Sequence, residues 1–124
     1  MKYLLDTNSC IYLFADEFPA LTDRVAGLPA GSLAISAITY AELAFGTFHG
    51  KPPAPEMLTG FVSEIPVLPF DQPAAETYAR LPFRRGSFDR LIAAHALALD
   101  LPLVSRNLAD FADLSGLQVE DWTK

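Results

Sequence analysis

The sequence predicts an α/β fold built on a mainly parallel sheet. Short apolar runs at Tyr3-Leu4-Leu5, Leu33-Ala34-Ile35, Val67-Leu68 and Leu103-Val104 alternate with stretches of helical apolar spacing. That alternation makes βαβ units around a parallel sheet. The first run is apolar at every position, as expected of a strand covered by helices on both faces. Polar residues able to cap helices follow several of the runs. They therefore stand at the carboxyl ends of strands, where ligands bind in open α/β sheets.

Taken in order, the first strand ends in Asp6-Thr7-Asn8, and Thr7 or Asn8 is expected to cap a helix beginning near Ser9. Ile11, Tyr12, Phe14 and Ala15 continue its apolar pattern until Asp16-Glu17-Phe18-Pro19 breaks it. Pro19 opens a second helix through Leu21, Val25 and Leu28. Gly27, Pro29 and Gly31 form the loop before the second strand. Ser36 caps the next helix, which carries Ile38, Ala41, Glu42, Phe45 and Phe48 and meets a proline-rich connector after Gly50. Glu56 to Ser63 is another helix, and Val67-Leu68 a short strand. Asp71 caps a helix with Pro73 in its first turn. Pro82 to Gly86 is a basic loop, and Ser87 caps a buried helix from Phe88 to Leu99. Leu103-Val104 is the fourth strand, and Leu117 to Val119 a last edge strand.

The 124 residues suit one domain, and a hydrophobic content of 51% supports a sizeable core. The single cysteine, Cys10, excludes an internal disulfide and a cysteine zinc cluster, and reads as a packing residue. The longest apolar stretch, Leu91 to Leu99, is interrupted by His95 and falls far short of the roughly 20 residues of a membrane helix. The residues before Asp6 lack the pattern of a signal peptide, so a soluble cytoplasmic protein with no membrane contact is expected. A formal net charge of −6 argues against gripping nucleic acid by broad phosphate contact. It leaves room for an enzyme that gathers acids around metal ions and keeps arginines at its rim.

Four acids fit that description. Asp6 ends the first strand. Glu42 follows Ile38 by four residues and precedes Phe45 by three, so it shares an apolar helix face. An acid there is costly unless paired or metal-bound. Asp89 lies in the first turn of the buried helix, where its charge suits the positive end of the dipole. Asp110 follows the fourth strand. Each has a structural explanation by itself: caps for Asp6 and Asp89, a partnered core acid for Glu42, a solvated turn for Asp110. Together they fall near one edge of a parallel sheet. Carboxylates sharing a cleft repel by up to about 4 kcal/mol per pair at about 4 Å and an effective dielectric near 20. Divalent cations relieve this repulsion. Oxygen-only ligation favours Mg²⁺ or Mn²⁺, ions that serve phosphodiester hydrolysis.

The segments that carry these acids are Leu5 to Asn8, Ile38 to Gly46, Asp89 to Ala96 and Leu103 to Phe111. In this order they resemble the signature segments of PIN-domain ribonucleases, most closely the VapC-type toxins of bacterial toxin–antitoxin pairs. Gly116 to Trp122 is similar to the C-terminal segment of that group. The resemblance implies a three-layer α/β/α fold with a central parallel sheet and Mg²⁺-dependent cleavage of RNA. It implies a metal site and catalytic centre of Asp6, Glu42, Asp89 and Asp110. Thr7 and Ser105 match hydroxyl positions that orient the acids, and Asn107 matches an outer polar position. A cognate antitoxin and a homodimer are the implied partners. The stretch Leu81 to Arg90 is more compact than the commonest VapC-type pattern.

Arg84, Arg85, Arg90 and Arg106 are four of nine basic residues, and all flank the proposed site segments. They are read as contacts to RNA phosphates, which the guanidinium fork suits. His95 reads as a core residue, and Phe14, Phe45, Phe48 and Tyr12 as core or as a patch for a partner. The alternative function is a catalytically silent PIN module that binds RNA or protein. A binding module, however, gains nothing from clustered negative charge facing phosphates. A receiver-like phosphoryl-transfer protein would need a lysine beside its acids, and Lys2, Lys51 and Lys124 stand at no central strand end.

Overall fold

The structure is a computed structural model that describes residues 1–84 and 87–124. Arg85, one of the predicted RNA contacts, lies outside the described residues. The strands are β1 (Tyr3–Leu5), β2 (Leu33–Ser36), β3 (Val67–Leu68), β4 (Leu103–Val104) and β5 (Val119–Glu120). They form one sheet in the order β3-β2-β1-β4-β5, with every neighbouring pair parallel. Between them run α1 (Thr7–Ala15), α2 (Pro19–Ala26), α3 (Ala37–Phe48), α4 (Pro55–Glu64), α5 (Gln72–Ala79) and α6 (Phe88–Leu99). A 3-10 turn, Leu108–Phe111, follows β4.

The alternation of side chains along the strands divides the core in two. Leu5, Leu33, Ile35 and Val104 pack with Cys10 of α1, Leu21 of α2, Leu43 of α3 and Leu58 of α4. Leu4, Ala34 and Leu103 belong to the other core, with Ile92, Ala93 and Ala96 of α6 and Phe111 and Leu114 beyond β4. The result is the expected three-layer α/β/α arrangement. The alanines of α6 put little bulk between its backbone and the sheet.

Strand order positions the site. The chain goes from β1 outward to β2 and β3, then crosses back to lay β4 and β5 on the other side of β1. Connections therefore reverse direction between β1 and β4. In open α/β sheets a crevice forms at that place, outside the carboxyl ends of the strands.

Local chemistry explains where helices begin. The first helix starts at Thr7, not near Ser9, because Asp6 itself is the cap: its carboxylate accepts the Ser9 N–H at 2.8 Å. Ser36 and Asp71 cap as predicted, accepting from the Ile38 and Ala74 amides at 3.1 Å each. Ser87 precedes α6 without a side-chain cap bond. The edge strand pairs at Val119 and Glu120, not from Leu117. Phe45 and Phe48, read as core or as a patch for a partner, are 66% and 88% exposed and so lie outside the core. Thr39 and Leu43 carry the buried face of α3. Two and five residues beyond Leu43, the phenylalanines turn well away from it at 3.6 residues per turn. Among the described residues no helix is long and apolar enough to cross a membrane.

Ile92 is fully buried between α6 and the sheet. Ile92→Ala is expected to cost about 2–5 kcal/mol, read from urea unfolding. A loss well below 1 kcal/mol would show that α6 does not pack as described.

Candidate active site

The crevice at the reversal point is built from four segments. β1 delivers Asp6 and Thr7, α3 delivers Glu42, the first turn of α6 delivers Asp89, and the segment after β4 delivers Ser105, Asn107 and Asp110. Asp6 is only 3% exposed. Its backbone N–H donates to the Val104 carbonyl at 3.1 Å, and Ser9 Oγ donates to the same carbonyl at 3.1 Å. The end of β1 and the first turn of α1 are thus both tied to β4.

The supporting residues take up defined jobs. The buried Thr7 hydroxyl donates to Glu42 Oε1 at 2.7 Å and lies 3.2 Å from the Thr39 hydroxyl. Ser105 is buried, and its Oγ accepts the Asn107 N–H at 3.1 Å. Asn107 Nδ2 donates in turn to Asp110 Oδ2. Thr39 and Ser9 were not singled out from the sequence. Thr39 had a signal, because it precedes Glu42 by three residues and so shares its helix face. The role of Ser9 depends on a carbonyl 95 positions away, which no local pattern encodes.

Burial and neighbouring charge both act on these acids. Burial pushes the Asp6 carboxyl above its ordinary value, against the pull of hydrogen bonds from Ser105 and Ser9. Burial also raises Glu42; the Thr7 hydrogen bond opposes this, and the charges of Asp89 and Asp6 reinforce it. Asp89 is raised by burial first, then by Asp6 and by Asp110. Glu42 and Asp89 thus each feel the charge of Asp6. The acids are held as an open charged crevice: among the described residues no three His, Cys, Asp or Glu side chains already form a group able to hold a metal ion. Hydrogen bonds from Ser9, Thr7 and Asn107 each occupy one oxygen of Asp6, Glu42 and Asp110. The donor set itself, oxygen-only and strained by its own charge, fits a hard divalent cation.

The arginines separate by environment. Arg90, read from the sequence as an RNA contact, is 2% exposed, and its Nη2 donates to both Asp113 carboxylate oxygens at 2.9 and 2.8 Å. That reading is corrected: neighbouring helix residues diverge by about 100°, so Asp89 meets the other acids while Arg90 turns inward. Arg84 is half-exposed and 3.9 Å from Asp113. Arg106 is exposed, with its guanidinium 5.0 Å from the centre of the Phe18 ring. His95 is buried as expected, and its Nδ1 lies 2.8 Å from Ser36 Oγ.

The family model of the PIN domain matches residues 3–117. The chain belongs to the PIN-domain family. Among curated relatives, the tRNA(fMet)-specific endonuclease VapC of Shigella flexneri is 34% identical over 132 residues, covering 99% of each chain. Ribonuclease VapC1 of Haemophilus influenzae (strain R2866) is 36% identical over 136 residues, with both chains fully covered. The solved structure of DNA-bound VapBC from Salmonella typhimurium aligns with a TM-score of 0.82 at 34% identity over 98% of each chain. VapBC-1 from nontypeable Haemophilus influenzae aligns with a TM-score of 0.82 at 31% identity over 100% of each. Within the PIN-domain family, the chain is thus a VapC-type ribonuclease.

The raised acids have a consequence for stability. Where a folded carboxyl sits above its unfolded value, the native state binds more protons, and stability is lost as pH rises through the folded value. For Asp6 and Asp89 this window opens near 3.8 and extends upward. Asp89→Asn removes one of these charges. In metal-free solution it is expected to melt higher than wild type at pH 7, with the gain shrinking towards pH 4. A variant that melts lower at pH 7 would show that Asp89 serves α6 mainly as a dipole partner.

Proposed function

We propose that the chain is a Mg²⁺-dependent endoribonuclease toxin that hydrolyses RNA phosphodiester bonds in the crevice between β1 and β4. The observation that carries this is the delivery of Asp6, Glu42, Asp89 and Asp110 to the reversal point of the sheet, close enough that Glu42 feels the charges of Asp89 and Asp6, and Asp89 those of Asp6 and Asp110. Asp6, Glu42 and Asp89 would hold Mg²⁺ (or Mn²⁺), with Asp110 completing the set. Bound there, the ion supplies Lewis acidity to the phosphate and a more acidic water for attack.

The chain's own groups do the rest. The Asp6 carboxylate keeps a fixed direction because the Ser9 amide holds one oxygen. Thr7 aims Glu42 through a 2.7 Å bond. Asn107 holds Asp110, and Ser105 in turn holds the Asn107 backbone. Arg84 and Arg106 at the rim take RNA phosphates, offsetting an acidic surface that otherwise repels the substrate. The relative from Shigella, named for tRNA(fMet), makes tRNA the first substrate to test.

The partner is a small antitoxin, and the active form is a homodimer. The exposed rings of Phe45 and Phe48 support an apolar contact, as does a cleft of about 910 Å³ whose lining includes Ile11, Phe14, Pro53 and Met57. An antitoxin tail with an arginine or lysine among the acids would offset their repulsion as a metal does.

Sequencing RNA ends after induced expression tests the proposal. Wild type should generate new ends and arrest growth, and co-expressed antitoxin should silence both. Asp6→Asn should be folded and inactive, because asparagine caps α1 as well as aspartate does but is a poorer metal ligand. Thr7→Val should lose about 10–100-fold in metal affinity or rate, as for other residues that orient a ligand. Normal cleavage by Asp6→Asn at matched concentration would remove the site from the crevice.

A further inference from the structure

The crevice does not end at the acids. On the Asp6 side it opens into a polar cleft of about 490 Å³, lined by Asn8 and Tyr12 of α1, Arg106 and Asn107 after β4, and Lys124. We infer that this cleft is a subsite for one nucleotide of single-stranded RNA, adjoining the phosphate that is cut. The inference rests on the ribonuclease reading and extends it by naming what the substrate touches.

Volume, charge and wall chemistry point to this occupant. About 300–1,000 Å³ is the ordinary size of a site for a small organic ligand, and a nucleotide is of that class. Asp6 at one side of the cleft places its occupant directly against the acidic centre. Arg24, Arg84 and Arg90 are each within ion-pair distance of a carboxylate, but among the described residues neither Arg106 nor Lys124 is. Both act at longer range on the one carboxylate of Asp121, and two cations facing that acid in a chain of net charge −6 are suited to an anionic ligand. The guanidinium of Arg106 is steadied over Phe18, and Tyr12 is braced edge-to-face on the same ring with centroids 4.8 Å apart. Tyr12, partly buried against the core, thus lines the cleft with a braced aromatic side chain, the residue type on which bases stack. The Asn8 amide supplies a donor and an acceptor for a base edge, and Asn107, whose Nδ2 holds Asp110, adds its amide oxygen as an acceptor. Asp121, also in the lining, keeps the cleft from being a general anion trap, so a bare phosphate should bind weakly there.

The test uses the full chain and a labelled single-stranded hexaribonucleotide in EDTA, followed by fluorescence anisotropy across a series of salt concentrations. Arg106→Gln and Lys124→Gln alter exposed side chains, and melting curves confirm that the variants are folded. Each should weaken binding about 5- to 10-fold and flatten the log–log salt dependence by about 0.7 per lost phosphate contact. In Mg²⁺, cleavage by each should show a raised KM with kcat kept, the signature of lost uniform binding. Unchanged affinity and slope in the double variant, with wild-type cleavage intact, would overturn the subsite and leave the ribonuclease reading standing. Loss confined to the antitoxin complex would overturn it in favour of a protein-binding cleft. A wild-type chain that neither binds nor cuts RNA would overturn both.

Discussion

Repulsion among carboxylates at one end of a parallel sheet is the constraint on which the rest of this structure depends. Acids that could swing into water would relieve it. These cannot swing freely. Asp6 is fixed by the end of β1 and by its own role as the cap of α1. Glu42 is held by Thr7, and Asp110 by Asn107. The two apolar layers on either face of the sheet supply the stability that this arrangement costs. The polar residues around the crevice then act less as isolated contacts than as devices that keep like charges near one another.

An ion pair between the buried Arg90 and the exposed Asp113 serves the same end from behind. Arg90 follows Asp89 in α6, and Asp113 lies three residues past Asp110. The bond between Arg90 and Asp113 therefore ties the start of α6 to the segment after β4. It fixes the approach of two acids that would otherwise drift apart. Removing Asp113 would leave the Arg90 cation buried and unpaired, the costly way to break such a pair, whereas the exposed Asp113 keeps Arg84 at 3.9 Å. The arginine thus contributes to the site without facing it.

Much of this was legible in the sequence, for identifiable reasons. β1, β3 and β4 are short runs of apolar residues between clear breakers, and each falls where it was expected. Ser36 and Asp71 are caps by residue type, and both make the bonds that type predicts. Glu42 stood out because an acid on an apolar face needs a partner, and Thr7 is that partner. The misreading of Arg90 has a clear cause. Proximity along the chain was taken for proximity in space at Arg90, whose neighbour Asp89 meets the acids while it does not. For Phe45 and Phe48 residue type left core and partner patch both open, and helix geometry, which places them away from Leu43, excludes the core. The cleft beside Asp6 joins α1 to the last residues of the chain, a juxtaposition that only the order of strands creates.

The central claim is that the crevice is destabilised by its own charge until a divalent cation enters. Melting the purified chain, free of any partner, against increasing Mg²⁺ at pH 7 and again near pH 5 measures this directly. The account predicts a melting temperature that climbs with Mg²⁺ along a saturating mass-action curve. That corresponds to about 2.7 kcal/mol when Mg²⁺ is in 100-fold excess over its Kd. The rise should be smaller near pH 5, where protons already relieve part of the repulsion among Asp6, Glu42 and Asp89. A melting temperature indifferent to millimolar Mg²⁺ and Mn²⁺ at pH 7 would contradict the account.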